Sequence, residues 1–264
     1  MLNIGYMDYA NVYPIFYFLL KDKNLKFTKG YPAFLNKEIR ESRVDISPSS
    51  SIEFARNHDL YKIIPNICVS SIGPVKSVNL YSKYKVEDLN NKKVYWTKES
   101  NTSTVLCRII LEKFYNLKPI YTSNEDEADA SLLIGDKALF EYYKPRKDFI
   151  IDLGEEWYNH TSLPFTFALW IARKNLEETE ELKGFVSNLH EIVNNFPKDS
   201  NILSSGYIEK GYTLEQLDDY WNTIRYNITE DHIKGLKLFF DYAYSLGETH
   251  DNAKDLIETS FIKF

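Results

Sequence analysis

The stretch ICVSSIGPVKSVNLYSK, residues 67–83, breaks the rhythm of everything that precedes it. Upstream, short strands and helices alternate. LNIGYM (2–7) reads as a strand ending near Asn11, residues 12–22 carry helical apolar spacing, and LKFTKG (25–30) is a second strand. PAFLNKEIRES (32–42) reads as a helix, VDIS (44–47) as a short buried strand, and SSIEFARN (50–57) as a helix opened by serines. That βαβα order predicts a parallel sheet with helices packed on it. Residues 67–83 are instead a long β-rich run with Gly73-Pro74 at its middle, long enough to carry the chain out of the first unit.

The pattern then restarts. VEDLNNKKVYWTK (86–98) gives a short helix and a strand. STVLCRIILEKFYN (103–116) is an amphipathic helix with Val105, Leu106, Ile109, Ile110 and Phe114 at core spacing. PIYTS (119–123) and ASLLIGD (130–136) are strands, and FTFALWIARK (165–174) is a second long β-rich run. Beyond it the chain reads as helix over roughly 177–195, 213–224 and 229–246. Two α/β units joined by crossings near 75–85 and 165–175 predict a two-lobed protein with a ligand cleft between the lobes. One lobe holds residues 1–80 plus 175–264, the other 85–170.

Composition narrows the function classes. The 264 residues are 44% hydrophobic and 27% charged, as in a globular protein with a substantial core. The net charge of −6 with no basic stripe argues against a nucleic-acid partner. Cys68 and Cys107 have neither metal-like spacing nor a required pairing, which fits a reducing compartment. The longest apolar run, Tyr13 to Leu20, is far too short to span a bilayer. The chain opens directly on strand-like sequence with no leader, so the expectation is a cytoplasmic protein with no membrane partner. The sequence does not fix an oligomeric state.

Three strand–polar turn–helix joints carry the candidate chemistry. In YMDYANVYPIFYFLL (6–20), Asn11 precedes a helix with Pro14 in its first turn, where a missing N–H costs little. Asn11 is either a simple helix cap or part of a ligand site. A helix start at the carboxyl end of a strand is where open α/β sheets receive anions. DISPSSSIEFARN (45–57) repeats the arrangement with Ser47, Ser49, Ser50 and Ser51, more hydroxyls than one cap needs. TKESNTSTVL (97–106) repeats it with Ser100, Asn101, Thr102, Ser103 and Thr104. Converging on one cleft, these joints present hydroxyls and backbone N–H groups to carboxylates without requiring Lys or Arg.

Further candidates are Ser70, Ser71 and Ser77 around the first crossing, Ser77 lying by alternation on the opposite face from Val78. Gly135 permits a close backbone approach, and Asp136 reads first as the cap of the next helix. DLGEEWYNHTSLPFTFALW (152–170) is dense in Glu155, Glu156, Trp157, His160, Thr161 and Pro164, and His160, read as lying in a polar loop ahead of the β-rich run, is the most tempting acid–base residue. No nucleophile elbow, P-loop, dinucleotide fingerprint or metal-spaced His or Cys group is present, so no metal or cofactor is expected.

The motifs in order resemble the chorismate dehydratases of the futalosine route to menaquinone. YANVYP matches that family's Tyr-x-Asn-x-x-Pro start. DISPSSSIEFARN, ICVSSIGPVKSVNLYSK, TKESNTSTVL, ADASLLIGDKAL and DLGEEWYNHTSLPFTFALWIARK follow, together spanning residues 6–174. The helical C-terminal third adds little. Departures are mild: Ala10 and Tyr13 replace aliphatic residues, and Ser162 stands where Gly is common before Leu163-Pro164. The resemblance implies a type II periplasmic-binding-protein fold used as an enzyme that converts chorismate to 3-[(1-carboxyvinyl)oxy]benzoate with loss of water. It puts the family's functional Asn on Asn11 and its functional Ser on Ser77, with the three polar helix starts holding the substrate's carboxylates. Two rivals share the fold: a solute-binding protein for a small carboxylate, and the later-step enzyme acting on cyclic dehypoxanthinyl futalosine.

Overall fold

A computed structural model describes residues 1–145, 147–196 and 206–263. The chain forms a mixed α/β structure built on two sheets. The first sheet takes β1 (Asn3–Tyr6), β2 (Lys26–Lys29), β3 (Ile46–Ser50), β4 (Tyr61–Ser71), β10 (Phe165–Arg173) and β11 (Ile224–Arg225), in the order β11-β4-β10-β3-β1-β2. The second takes β5 (Val78–Ser82), β6 (Lys93–Tyr95), β7 (Ile120–Thr122), β8 (Ala130–Ile134) and β9 (Phe149–Asp152), in the order β7-β6-β8-β5-β9. β1 pairs parallel with β2 and β3, as the βαβα pattern predicts. β10 inserts antiparallel between β3 and β4, Ala168 opposite Ser50 and Phe165 opposite Ser71.

Helices cover the sheets. α1 (Tyr13–Leu19) carries Pro in its first turn and buries Pro14, Ile15, Phe16 and Leu19; each such large apolar side chain contributes about 1.5–3 kcal/mol when removed from water. α2 (Pro32–Arg40) and α3 (Ser51–Asn57) follow as the sequence predicts. The helix predicted at 103–116 is α4 (Asn101–Arg108), continued by a π-helical segment Ile109–Phe114. Val105, Leu106, Ile109 and Ile110 are fully buried, as their spacing requires, and Phe114 packs at the core's edge. α5 (Gly135–Tyr143) follows β8.

The segment expected to be a polar loop is in fact ordered: β9 leads into α6 (Leu153–Thr161), and His160 sits in the last turn of that helix. The misreading has a cause. Asp152 accepts N–H bonds from Gly154 and Glu155, a helix start that the dense polar run disguises. The C-terminal part gives α7 (Glu180–Asn194), α8 (Leu214–Trp221) and α9 (Glu230–Ser245).

The first crossing is held by a buried carboxylate. Asp152 is 5% exposed and accepts from the backbone N–H groups of Val75 (3.0 Å) and Lys76 (2.6 Å) as well as from its own helix start. Lys76 there adopts a left-handed φ of 62°. Burial pushes the Asp152 carboxyl up to about 6, against the four N–H donors that favour the anion. Asp152→Asn, with one acceptor oxygen for four donors, should destabilise the protein by about 2 kcal/mol. The native state takes up a proton between the ordinary value of 3.8 and about 6. The stability that Asp152 adds is therefore full below the lower value and is lost as pH rises through the upper one. Urea unfolding of both proteins should show a larger wild-type advantage at pH 5 than at pH 7.

Candidate functional site

One narrow cleft collects residues from both sheets. Met7, Tyr9, Asn11, Pro32, Pro48, Ser50, Phe167 and Ala168 line it from the first unit, and Ser77, Val78, Ser100, Ser103, Ile134 and Gly135 from the crossing and the second. A roomier groove between Met1, Asp22 and α7 is open and shallow, and none of the three polar joints reaches it.

Asn11 is not a cap. The cap position of α1 belongs to Val12, with no side-chain cap bond, and the buried Asn11 Oδ1 has no partner among the described residues. A buried amide oxygen left unpaired costs free energy unless a ligand or water meets it. Its backbone is fixed on three sides. The Ala10 N–H donates to Asp136 Oδ1 (2.8 Å), the Trp221 indole donates to Ala10 O (2.9 Å), and the Tyr226 hydroxyl donates to Asn11 O (2.8 Å).

Ser77 precedes β5 rather than lying in it, at the turn set by Lys76, so strand alternation does not apply: both Ser77 and Val78 line the cleft. Ser77 O accepts from Gly135 N (2.9 Å), and Ser77 Oγ accepts from the Tyr220 hydroxyl (2.8 Å). Gly135 has φ +60°, a conformation that strains any side chain, and a Cβ there would lie 3.1 Å from the Tyr9 ring, tighter than ordinary contact.

The serine joint divides by side. Ser50, opposite Ala168, lines the cleft and accepts from Asn36 Nδ2 (2.8 Å). Ser49 and Ser47 are buried on the alternate positions with unpartnered hydroxyls. Ser51 donates to Thr166 O (2.8 Å). In the third joint Ser100 caps α4 through Ser103 N (3.3 Å), and both hydroxyls line the cleft 3.0 Å apart. Asn101 lies outside the lining, and Thr104 is taken up by Ser100 O (2.9 Å). Thr102 Oγ1 instead accepts from Ile52 N (3.0 Å), capping the start of α3 from across the cleft.

Asp136 does not cap α5, whose cap position is Ile134. It sits behind the lining, receiving Ala10 N–H and the Lys210 ammonium (3.3 Å), with its carboxyl pushed up by burial against those donors. Ser70 and Ser71 are occupied by Arg225 O and Gly73 O. His160 stacks on Phe114, ring centroids 4.6 Å apart, and does not line the cleft. The residues missed in the sequence are Tyr220, Trp221 and Tyr226, whose distance along the chain from Asn11 and Ser77 leaves no local signal.

Among the described residues lining the cleft, only Tyr9 titrates; burial and the neighbouring Glu99, which accepts its hydroxyl at 3.2 Å, push that phenol up. The polar part of the wall is therefore neutral, the hydroxyls of Ser50, Ser77, Ser100 and Ser103 with the Asn11 amide, set among apolar side chains such as Met7, Val78, Ile134 and Phe167. It can orient anions and hold them without a fixed counter-charge.

A family model described as "Menaquinone biosynthesis" matches residues 2–245, well into the C-terminal part that added little by eye. The chain is 30% identical to a chorismate dehydratase of Thermus thermophilus over 71% of this chain and 74% of that one. It is also 30% identical to a chorismate dehydratase of Campylobacter jejuni over 62% and 64%. Among solved structures, a protein of Archaeoglobus fulgidus superposes with a TM-score of 0.76 at 17% identity, covering 94% of this chain and 98% of that one. A Candida albicans protein described as having the generic periplasmic binding protein fold superposes with a TM-score of 0.69 at 12% identity, covering 100% and 96%. The two-lobed periplasmic-binding-protein-like fold is thereby established.

Thr102→Ala should remove the acceptor of Ile52 N and cost about 1 kcal/mol in urea unfolding, as for a lost helix cap. Thr102→Ser, which keeps the oxygen, should restore most of it.

Proposed function

The chain belongs to the menaquinone biosynthesis family, and on that premise we propose how its cleft acts. The enzyme is a chorismate dehydratase, a carbon–oxygen lyase that eliminates water from chorismate to give 3-[(1-carboxyvinyl)oxy]benzoate. Its substrate is a small molecule. Among the described residues no helix is long and apolar enough to cross a membrane; we place the enzyme in the cytoplasm, with the biosynthetic pathway it serves. We assign the two lobes to the two sheets, with the segments leading into β5 and into β10, where the chain passes from one sheet to the other, as hinges.

The observation that carries the mechanism is the absence of a strong base among the described lining residues. Elimination must take a ring proton and expel the hydroxyl on the neighbouring carbon. The C–H electron pair becomes part of the aromatic ring, and the C–O pair leaves with oxygen, which gains a proton as water. In this reading the substrate's own enolpyruvyl carboxylate takes the proton. The protein holds that carboxylate against the C–H bond and stabilises the departing hydroxyl, so catalysis is positioning and electrostatics. Asn11 meets substrate with its amide, and Ser77 donates toward the departing hydroxyl. Ser50, Ser100 and Ser103 receive the carboxylates, while Gly135 lets the chain approach closely. Ser49, Ser51, Asn101, Thr102, Thr104 and Asp136 support that wall from behind.

Pure protein incubated with chorismate, with product mass read, separates this from a binding protein, which leaves the ligand unchanged. Asn11→Ala should lower turnover by at least about 100-fold. Its urea unfolding should stay within about 0.5 kcal/mol of wild type, because the side chain makes no internal bond. A folded Asn11→Ala with normal turnover removes Asn11 from the mechanism.

His160→Asn should lose far less than the factor of about 10²–10⁴ that a general base supplies. A loss of about a thousandfold in the same assay, with circular dichroism unchanged, would make His160 the base.

A further inference from the structure

Three consecutive residues of α8's last turn and its end reach the two functional loops. Asp219 receives the Lys76 ammonium (2.6 Å), the Tyr220 hydroxyl donates to Ser77 Oγ (2.8 Å), and the Trp221 indole donates to Ala10 O (2.9 Å). Tyr220 itself is 1% exposed and does not line the cleft; it stands behind Ser77. We propose that Tyr220 is a positioning residue whose phenol fixes the direction of the Ser77 hydroxyl, so that Ser77 presents its proton to the cleft.

The argument is one of donor count. A phenol has one O–H, and a serine hydroxyl has one O–H and two acceptor lone pairs. With one lone pair of Ser77 occupied by Tyr220, the serine cannot turn its own proton toward the phenol without leaving two hydrogens facing each other. Its O–H is left for a group in the cleft. Accepting one hydrogen bond also strengthens the one a hydroxyl donates. Tyr220 gives no proton to the reaction: burial holds its phenol far above the ordinary range, so it stays neutral and a donor at every pH where the enzyme works. The adjacent Lys76–Asp219 pair fixes the backbone beside Ser77 but leaves the hydroxyl's rotation unset.

The proposal rests on the reading of Ser77 as a hydroxyl that meets substrate, and the test separates the two. Chorismate turnover is measured at varied substrate in excess over enzyme for wild type, Ser77→Ala, Tyr220→Phe and the double variant, with product read by mass over long incubations so that slow proteins remain measurable. Tyr220→Phe keeps the ring and removes one O–H. We expect kcat to fall about tenfold to a hundredfold with KM changed less than threefold and the pH profile unshifted. In the Ser77→Ala background the same change should have no further effect, because a residue acting through Ser77 has nothing left to orient.

Ser77→Ala with normal turnover would remove the Ser77 reading, and this proposal with it. A slow Ser77→Ala beside a normal Tyr220→Phe would leave Ser77 standing and overturn only Tyr220. So would an equal loss in both backgrounds, or a loss carried wholly by KM. Asp219→Asn serves as the bracing control: if loosening that adjacent ion pair lowers kcat as much as Tyr220→Phe, the role is support rather than orientation. A Tyr220→Phe chain that fails to fold would likewise make the phenol structural.

Discussion

The insertion of β10 between β3 and β4 is the pairing on which the rest of the structure depends. The strand returns from the second sheet and bonds antiparallel along both neighbours, burying Phe165, Leu169, Trp170, Ile171 and Ala172. Without it the first sheet would split between β3 and β4, since no other strand joins them. It also sets the cleft: Ala168 is opposite Ser50, and both line the site with Phe167. As an interior strand it is paired along both edges, so the wall of the cleft it forms is held by ladder hydrogen bonds on either side.

The opposite wall is fixed by different means. The crossing at Val75–Ser77 is not a strand, and its left-handed Lys76 needs the surroundings to hold it. Asp152 supplies that hold through backbone N–H groups on both the crossing and α6. The two side chains proposed to act on substrate thus sit on irregular backbone, Asn11 before a helix and Ser77 before a strand. Each is clamped by bonds to its main chain, while its polar tip is kept for the cleft. The neutral polar groups of the cleft agree with the proposed mechanism, in which the doubly anionic substrate supplies its own base, because a fixed cation would pair with the carboxylate that is to accept the proton.

Much of this was legible in the sequence. The βαβα rhythm, its interruption at residues 67–83 and the second β-rich run determined two α/β units and two crossings, because apolar periodicity records which face of each element is buried. The three polar helix starts were also visible, since hydroxyl and amide residues cluster only where backbone N–H groups lie open. What the sequence left level was the choice between cap and ligand site at Asn11. Both readings use the same residue type at the same spacing; the geometry, with Val12 at the cap position and Asn11 Oδ1 unpaired among the described residues, removes the cap.

Tertiary structure alone decided the partners. That Thr102 caps α3 rather than facing the cleft, that Asp136 holds Ala10 rather than its own helix, and that Tyr220 backs Ser77 are contacts between segments far apart in the chain. Local periodicity carries no information about them, because it reports burial and not neighbours. His160 shows the same limit from the other side: its imidazole made it tempting, and its place on α6, stacked on Phe114, took it out of the cleft. The sequence by itself determined most of the elements, the two-unit plan and where polar groups gather, but not α6. The fold determined which of those groups face the cleft, since that depends on how helices from both ends of the chain meet across it.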